Sequence, residues 1–251
     1  MEKLFDINES GYSVRCKLYC SSVNAVKRAV IFGHGFGGHK DNKAAEKFAA
    51  KIISKHKDMG VVVFNWPCHG DDARKNLLLS ECDLYLTMVL EYVKKWFNTD
   101  ELYGYATSFG GYLFLKYIAE HGNPFRKVAF RCPAIKMYES INNRIMTKDD
   151  HEKIMKGKPA LVGFDRKIKI GKQFLEDLEA ADITQYEYLD YADDMIILHG
   201  TKDEVIPCED SATVADDNVI EFVPVQNADH RFTDPKTMDL AIHTIITFFE
   251  T

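Results

Sequence analysis

Short apolar runs alternate along this chain with stretches in which apolar residues recur at a helical period. Several of the runs are unbroken, which is typical of strands buried on both faces of a parallel sheet. The predicted strands span residues 12–19, 29–33, 61–66, 102–106, 127–131, 195–199 and 219–223. Strands that alternate with helices predict an α/β protein, with a mostly parallel central sheet flanked by helices.

Amphipathic helices are predicted between these strands. One apolar stripe recurs at i, i+3, i+4, i+7 and i+8 through Ala45, Phe48, Ala49, Ile52 and Ile53. A second stripe near the C-terminus consists of Met238, Ala241, Ile242, Ile245, Ile246 and Phe249. Pro235 should lie in the first turn of that last helix, where its missing N–H costs nothing. A third helix is predicted to start with a capping box at Ser80.

Residues 135–191 interrupt the strand–helix alternation. Residues 136–172 carry ten Lys or Arg and five Asp or Glu, whereas residues 173–194 carry eight acids and no Lys or Arg. Each charge run taken alone is typical of a solvated helix face. Together they predict an α/β core of residues 1–134 and 192–251, with residues 135–191 inserted as a lid over the edge of the sheet.

Composition and charge narrow the class of protein. The 251 residues are 46% hydrophobic and 28% charged, with a net charge of −6 that argues against nucleic acid as the main partner. No apolar run approaches the ~18–20 residues that span a bilayer, and the charged N-terminus does not resemble a signal peptide. The six cysteines are scattered without a CxxC pair and are interpreted as free thiols. We therefore predict a cytoplasmic protein without a membrane partner.

Ser108 stands where a predicted strand runs directly into a predicted helix. This is the context in which a G-x-S-x-G motif forms a nucleophile elbow, a sharp turn that exposes the serine hydroxyl. The residues two before and two after the serine must be small, and here they are Ala106 and Gly110. Alanine therefore replaces the first glycine of the motif. The alternative interpretation is a serine that caps an ordinary helix.

A serine nucleophile needs a base, and the base needs an acid that orients it. The loop after the strand at 195–199 carries Asp203, and the loop after the next strand carries His230. We predict His230 as the general base and Asp203 as its acid. Glu204 and Asp229 compete for the acid's role, but Asp229 adjoins His230 in sequence, which usually points the two side chains apart.

The other histidines do not fit the role of the base. His199 is interpreted as a core or turn residue, and several others fall in polar helical segments or in the last helix: His56, His121, His151 and His243. Neither Cys68–His69 nor His34 with His39 has the spacing of a metal site, so no metal and no cofactor is predicted.

An oxyanion needs two fixed N–H donors. A glycine-rich turn follows the strand at 29–33, and the backbone N–H of Phe36 in this turn is predicted as one donor. The N–H of Phe109 follows the nucleophile at a helix N-terminus and is predicted as the other. The turn has no GxGxxG or Gly-Lys-Ser/Thr pattern, which argues against a phosphate site.

Taken together, these residues resemble the α/β-hydrolase family over nearly the whole chain, and most of all its bacterial cinnamoyl and feruloyl esterases. Serine-aminopeptidase-like and monoacylglycerol-lipase-like hydrolases are related to this group. The matching segments are 34–38 (HGFGG), 65–71 (NWPCHGD), 108–111 (SFGG), 200–203 (GTKD) with Val205 and Pro207, and 228–232 (ADHRF). The resemblance implies a triad of Ser108, Asp203 and His230 and an oxyanion hole formed by the Phe36 and Phe109 amides. It also implies a lid at about 135–191.

The sequence thus predicts a serine carboxylic-ester hydrolase that acts on small esters through an acyl-enzyme, with hydroxycinnamoyl or other aromatic or anionic acyl groups. One alternative is an aminopeptidase-like amide hydrolase, with a substrate amine bound by Glu176, Asp177 or Glu179. Another is a ligand-binding protein that has the fold without the catalysis. The exact ester, the mobility of the lid and the formation of a homodimer stay open.

Overall fold

One mixed sheet organises the computed structural model, which describes residues 1–251. Its eight strands are β1 (Glu2–Glu9), β2 (Tyr12–Cys20), β3 (Arg28–Gly33), β4 (Met59–Phe64), β5 (Leu102–Thr107), β6 (Lys127–Arg131), β9 (Met195–Gly200) and β10 (Glu221–Val225). They lie in the order β1-β2-β4-β3-β5-β6-β9-β10. β2 runs antiparallel to both of its neighbours, and every other pairing is parallel. The predicted α/β class is confirmed.

Eight α-helices accompany the strands. They are α1 (Lys43–Lys55), α2 (Leu79–Phe97), α3 (Phe109–His121), α4 (Met137–Ser140), α5 (Lys148–Met155), α6 (Lys172–Ala180), α7 (Cys208–Asn218) and α8 (Pro235–Phe248). A π-helical turn spans Ile141–Ile145, and 3₁₀ turns span Val23–Ala25, Ile183–Gln185 and Leu189–Asp194. None of these helices combines the length and the apolar character that crossing a membrane requires.

The central strands are buried on both faces. On β3, Ile31 belongs to an apolar cluster that includes the buried side chains of α2 and α3. Its neighbours Val30 and Phe32 belong to a second cluster, which includes those of α1 and α8. Because successive strand residues point to opposite faces, the two clusters lie on opposite sides of the sheet. This double burial explains the unbroken apolar runs in the sequence.

All seven predicted strands exist, but two are displaced by two residues and β1 was not predicted. β4 spans Met59–Phe64 rather than 61–66. β10 begins at Glu221 rather than at Val219, because Val219 follows α7 with a left-handed backbone of φ 58°. β1 pairs with β2 at the edge of the sheet and buries only Ile7 of its eight residues. An edge strand of this kind carries little apolar signal.

One predicted helix start is wrong. α2 begins at Leu79 after Leu78, so Ser80 lies inside the first turn and caps nothing. The last helix starts as predicted, with Pro235 in its first turn and the Asp234 side chain accepting a hydrogen bond from the Lys236 amide.

Residues 135–191 add no strand to the main sheet. Besides α4, α5 and α6, this segment contains a small antiparallel hairpin of β7 (Ala160–Val162) and β8 (Ile168–Ile170). Its apolar side chains join the cluster beneath α2 and α3, and the Phe174 ring lies 6.2 Å from the ring of Phe109. The Tyr112 hydroxyl of α3 donates to the Ala181 carbonyl at 2.9 Å. The segment is therefore packed against the core.

Candidate active site

Ser108 occupies a sharp turn between β5 and α3. Its backbone has φ 52° and ψ −119°, a region that residues other than glycine rarely adopt. The Ser108 amide donates to the Arg131 carbonyl at 3.2 Å, and its own carbonyl accepts from the Tyr112 and Ala134 amides. This strained turn has the geometry of a nucleophile elbow, which holds a serine hydroxyl away from the backbone.

The residues beside Ser108 explain how the turn packs. A Cβ on Gly110 would overlap the carbonyl oxygen of Gly33, so only glycine fits where α3 approaches β3. Ala106 is directly opposite Gly33 in the register of the two strands. A Cβ on Gly33 would be 2.8 Å from the Phe114 ring and 3.4 Å from the Ala106 methyl carbon, so glycine at this position leaves room for both side chains.

His230 joins Ser108 to Asp203. The imidazole Nε2 lies 3.0 Å from Ser108 Oγ, and Nδ1 lies 2.7 Å from Asp203 Oδ2. The loops after β9 and β10 are tied together, because the Lys202 amide donates to the Ala228 carbonyl at 3.0 Å. The structure therefore brings together three side chains from the carboxyl ends of β5, β9 and β10.

The Asp203 carboxylate is fully buried and accepts four hydrogen bonds. Oδ1 accepts from the Val205 and Ile206 amides, each at 2.8 Å, and Oδ2 accepts from His230 and from His199. Burial by itself would raise the pKa of the Asp203 carboxyl, but the hydrogen bonds from the two imidazoles hold it well below its usual range. The group is thus an anion at neutral pH.

The two competing acids do not contact the imidazole. Asp229 accepts hydrogen bonds from the amide and the hydroxyl of Thr233, which turns its carboxylate into its own loop. Glu204 is exposed. Of the three acids, only Asp203 is hydrogen-bonded to His230.

The turn after β3 lies against Ser108. A Cβ on Gly35 would be 3.1 Å from Ser108 Cβ, and the rings of Phe36 and Phe109 are 5.6 Å apart. The backbone N–H groups of Phe36 and Phe109 donate to no protein group. One of these unengaged amides lies in the turn that packs on Ser108 and the other directly follows Ser108 in the chain, so both are candidate donors to a developing oxyanion.

Three buried histidines near the site had no role in the sequence-based prediction. His199 Nε2 lies 3.1 Å from Asp203 Oδ2, so this residue, interpreted as core or turn, contacts the predicted acid. His34 and His69 are buried next to the Phe36 turn, and the His69 ring lies 5.7 Å from the Phe36 ring. Burial lowers the pKa of His34 to about 3 and that of His69 to about 4. The position of His199 four residues before Asp203 is the only sequence signal for its contact.

Two clusters have enough ligand atoms to be considered for a metal. Cys132 lies close to Asp203 and His230, but burial raises the pKa of its thiol, whereas a metal needs the thiolate. The second cluster contains Asp83, Glu120 and His121. The ammonium of Lys116 already pairs with both of its carboxylates. The chemistry of neither cluster favours a metal ion.

Comparisons with known proteins were made by sequence and by structure. No protein-family model and no curated protein matches the sequence. Among solved structures, Est1E from Butyrivibrio proteoclasticus with bound ferulic acid is similar at a TM-score of 0.77 and 18% identity, covering 98% of each chain. The mouse alpha/beta hydrolase domain-containing protein 10 also has a TM-score of 0.77, at 16% identity, covering 99% of this chain and 98% of the other.

The esterase domain of a Rhodothermus marinus protein is similar at a TM-score of 0.68 and 16% identity, over 99% of this chain and 97% of the other. These likenesses extend over nearly the whole length of the chain. The protein therefore has the α/β-hydrolase fold, as the resemblance in its sequence implied.

Proposed function

We propose that the protein is a serine carboxylic-ester hydrolase that acts through an acyl-enzyme on Ser108. The observation that carries the proposal is the unbroken hydrogen-bond chain from Ser108 Oγ through His230 to the buried Asp203 carboxylate. Two of the similar proteins, an esterase domain from Rhodothermus marinus and a mouse alpha/beta hydrolase domain-containing protein, support the same class of reaction.

In the first half of the reaction, Ser108 Oγ attacks the ester carbonyl while its proton passes to His230 Nε2. The Asp203 anion stabilises the imidazolium that forms, since it accepts the Nδ1–H at 2.7 Å. The Phe36 and Phe109 amides bind the oxyanion of the tetrahedral intermediate. When the C–O bond breaks, His230 returns the proton to the departing alcohol.

In the second half, water replaces the alcohol. Neutral His230 takes a proton from the water, whose oxygen attacks the acyl carbon of the Ser108 ester. The same two amides bind the second oxyanion. Collapse of this intermediate releases the carboxylic acid, and His230 returns the proton to Ser108 Oγ, which restores the starting state.

The surroundings of the Phe36 turn favour aromatic or anionic acyl groups. The Phe36 ring is half-buried beside Ser108's helix. The β7–β8 hairpin lies over this turn. Its Arg166 carbonyl oxygen is so close that a Cβ on Gly37 would be only 3.0 Å from it. The exposed Arg166 guanidinium forms no ion pair and contributes to lowering the pKa of the nearby His34. An unpaired cation above the turn suits an anionic substrate.

Active-site labelling combined with kinetics tests the proposal. A fluorophosphonate probe should label the wild type and Ser54→Ala, in which an exposed serine is removed, but not Ser108→Ala. Hydrolysis of p-nitrophenyl butyrate should fall about 10⁴-fold or more in Ser108→Ala, because removing a triad member removes nucleophilic catalysis.

Other results of these experiments would indicate a different function. A folded wild type that neither reacts with the probe nor hydrolyses esters would indicate a ligand-binding protein. Faster cleavage of aminoacyl anilides than of esters would indicate an amide hydrolase. Two of the three acids considered for an amine site have other partners, since Glu176 pairs with Lys172 at 2.6 Å and Asp177 accepts from Gln173 at 2.8 Å.

A further inference from the structure

Two histidines donate to the same oxygen of the Asp203 carboxylate. His230 Nδ1 approaches Oδ2 at 2.7 Å from the loop after β10, and His199 Nε2 approaches it at 3.1 Å from the end of β9. We propose that His199 is a positioning residue, whose Nε2–H holds the Asp203 carboxylate in the orientation that His230 requires. The inference rests on the proposed function, in which Asp203 serves His230.

The partners of His199 determine which of its nitrogens carries the proton. Nε2 lies 3.1 Å from both Asp203 Oδ2 and the Ile206 carbonyl oxygen. A carbonyl and an ionised carboxylate only accept hydrogen bonds, so Nε2 must be the donor. Nδ1 lies 2.8 Å from Ser211 Oγ, whose hydroxyl has no other hydrogen-bond partner and can donate to it. Ser211 thus favours the Nε2–H tautomer.

His199 lies in a strand of the sheet and is more buried than His230. It belongs to β9, which pairs with β6 on one side and with β10 on the other, and it is fully buried. His230 lies on a loop, and its side chain is 16% exposed. The His199 contact therefore ties Oδ2 to the sheet itself, so that Asp203 keeps its direction while His230 exchanges protons with Ser108 and the substrate.

The other titratable groups near Asp203 come from neighbouring elements. Cys132 follows β6 and Cys208 begins α7, and burial raises the pKa of both thiols, so they stay neutral under assay conditions. Arg131 of β6 is buried next to Cys132. The two imidazoles are the groups that contact Asp203 Oδ2 directly.

The test compares two substitutions of His199. His199→Gln places an amide N–H near the Nε2 position and keeps a donor, whereas His199→Leu fills similar space without one. We expect kcat to fall about tenfold or more in His199→Leu with KM little changed, because the substrate does not touch this residue. His199→Gln should recover most of kcat, and Ser211→Ala should show a smaller loss.

The pH profile separates positioning from packing. Without the His199 donor, the charge of Asp203 acts on His230 alone and favours its protonated form. The acid limb of kcat/KM should therefore move to higher pH, by about half a unit, in His199→Leu and not in His199→Gln. Urea unfolding of both variants measures any loss of stability. Equal kcat and equal acid limbs in the two variants would overturn the proposal.

A measurement on the unmodified protein avoids the risk that His199→Leu does not fold. Nitrogen-15 NMR of the wild type should show His199 protonated at Nε2 and unprotonated at Nδ1. A proton on Nδ1 would overturn the proposal. This result does not depend on catalysis, so a protein without esterase activity that shows the Nε2–H tautomer would refute the proposed function and leave the His199 contact standing.

Discussion

At the scale of single residues, the buried imidazoles of His34 and His69 influence the stability of the protein. His34 donates Nδ1–H to the Gly35 carbonyl at 2.9 Å, and His69 donates Nδ1–H to the Pro67 carbonyl at 2.8 Å. His69 Nε2 has no hydrogen-bond partner. Both side chains are therefore held in the neutral form, because burial lowers their pKa values to about 3 and about 4.

These pKa values predict a loss of stability in mild acid. Between about pH 6.5 and 4, the unfolded chain binds protons at His34 and His69 that the folded protein does not bind. The two buried histidines therefore do not reduce the free energy of unfolding above about pH 6.5. Below that pH, the free energy of unfolding decreases as the pH falls. Each histidine should lower the free energy of unfolding by up to about 1.4 kcal/mol per pH unit in this window.

Replacing His69 measures this effect. His69→Phe keeps a ring against Phe109, which stacks on the imidazole at 6.1 Å, but cannot be protonated. The free energy of unfolding, measured with urea from pH 7 to 5, should depend less steeply on pH than in the wild type, by the equivalent of about one proton. The exposed His243→Gln is the control and should keep the wild-type slope. An unchanged slope in His69→Phe would contradict the prediction.

At the scale of elements, the site depends on how closely α3 approaches β3. Gly110 lies in the first turn of α3, and the space for a Cβ there is taken by the backbone of Gly33 and His34. A side chain at this position must push the helix away from the strand. Such a displacement would also move Ser108 and the Phe109 amide, which lie at the start of the same helix.

Gly110→Ala should therefore lower both stability and activity. We expect the free energy of unfolding to fall by about 2–3 kcal/mol, the cost of overpacking a close contact. Esterase activity should fall more than tenfold, because the nucleophile and an oxyanion donor lose their alignment. Urea unfolding and p-nitrophenyl butyrate hydrolysis measure the two effects.

Gly171 offers a matched control for this substitution. It precedes α6 with an extended backbone, and a Cβ there would meet no atom within 4 Å. Gly171→Ala should change the free energy of unfolding by no more than about 1 kcal/mol, the scale of an N-cap effect, and leave activity intact. Similar losses in both variants would show that the crowding at Gly110 is not the cause.

At the scale of the whole molecule, charge is distributed unevenly. The chain has a net charge of −6, whereas residues 136–172 carry twice as many basic as acidic side chains. Three of these ten cations form ion pairs: Lys136 with Asp210 at 2.8 Å, Lys156 with Glu152 at 3.3 Å and Lys172 with Glu176 at 2.6 Å. Arg166 has no ion pair, and it lies over the turn that carries the proposed oxyanion donor Phe36. An anionic acyl group should therefore be attracted to the site although the protein as a whole is acidic.

A matched pair of esters measures this attraction. We expect kcat/KM for an ester with a carboxylate on its acyl group to fall with added salt, and kcat/KM for its neutral analogue to stay constant. Arg166→Gln should lower the anionic value about three- to tenfold at low salt. Lys156→Gln also removes one positive charge, but Lys156 is already paired with Glu152. This control should change kcat/KM for the anionic ester little. Equal salt dependence for the two esters would exclude anionic substrates.

The local pattern of the sequence predicted much of this protein. Short apolar runs located seven of the eight strands of the main sheet, and several of these runs are unbroken because strands covered on both faces leave no polar positions. The passage from strand to helix at Ser108 located the sharp turn, since small residues must flank it. The chain order of Ser108, Asp203 and His230 indicated a shared site, because the carboxyl ends of parallel strands meet at one edge of a sheet.

Tertiary structure decided the contacts that depend on the direction of single side chains. The four-residue spacing of His199 and Asp203 does not show that Nε2 meets Oδ2, and nothing local to Gly33 shows that it makes room for Ala106. The hairpin over the Phe36 turn likewise brings together segments more than 120 residues apart. Periodicity reports which residues are buried, whereas a hydrogen bond also requires two particular atoms to face each other, and that depends on the packing of the whole chain.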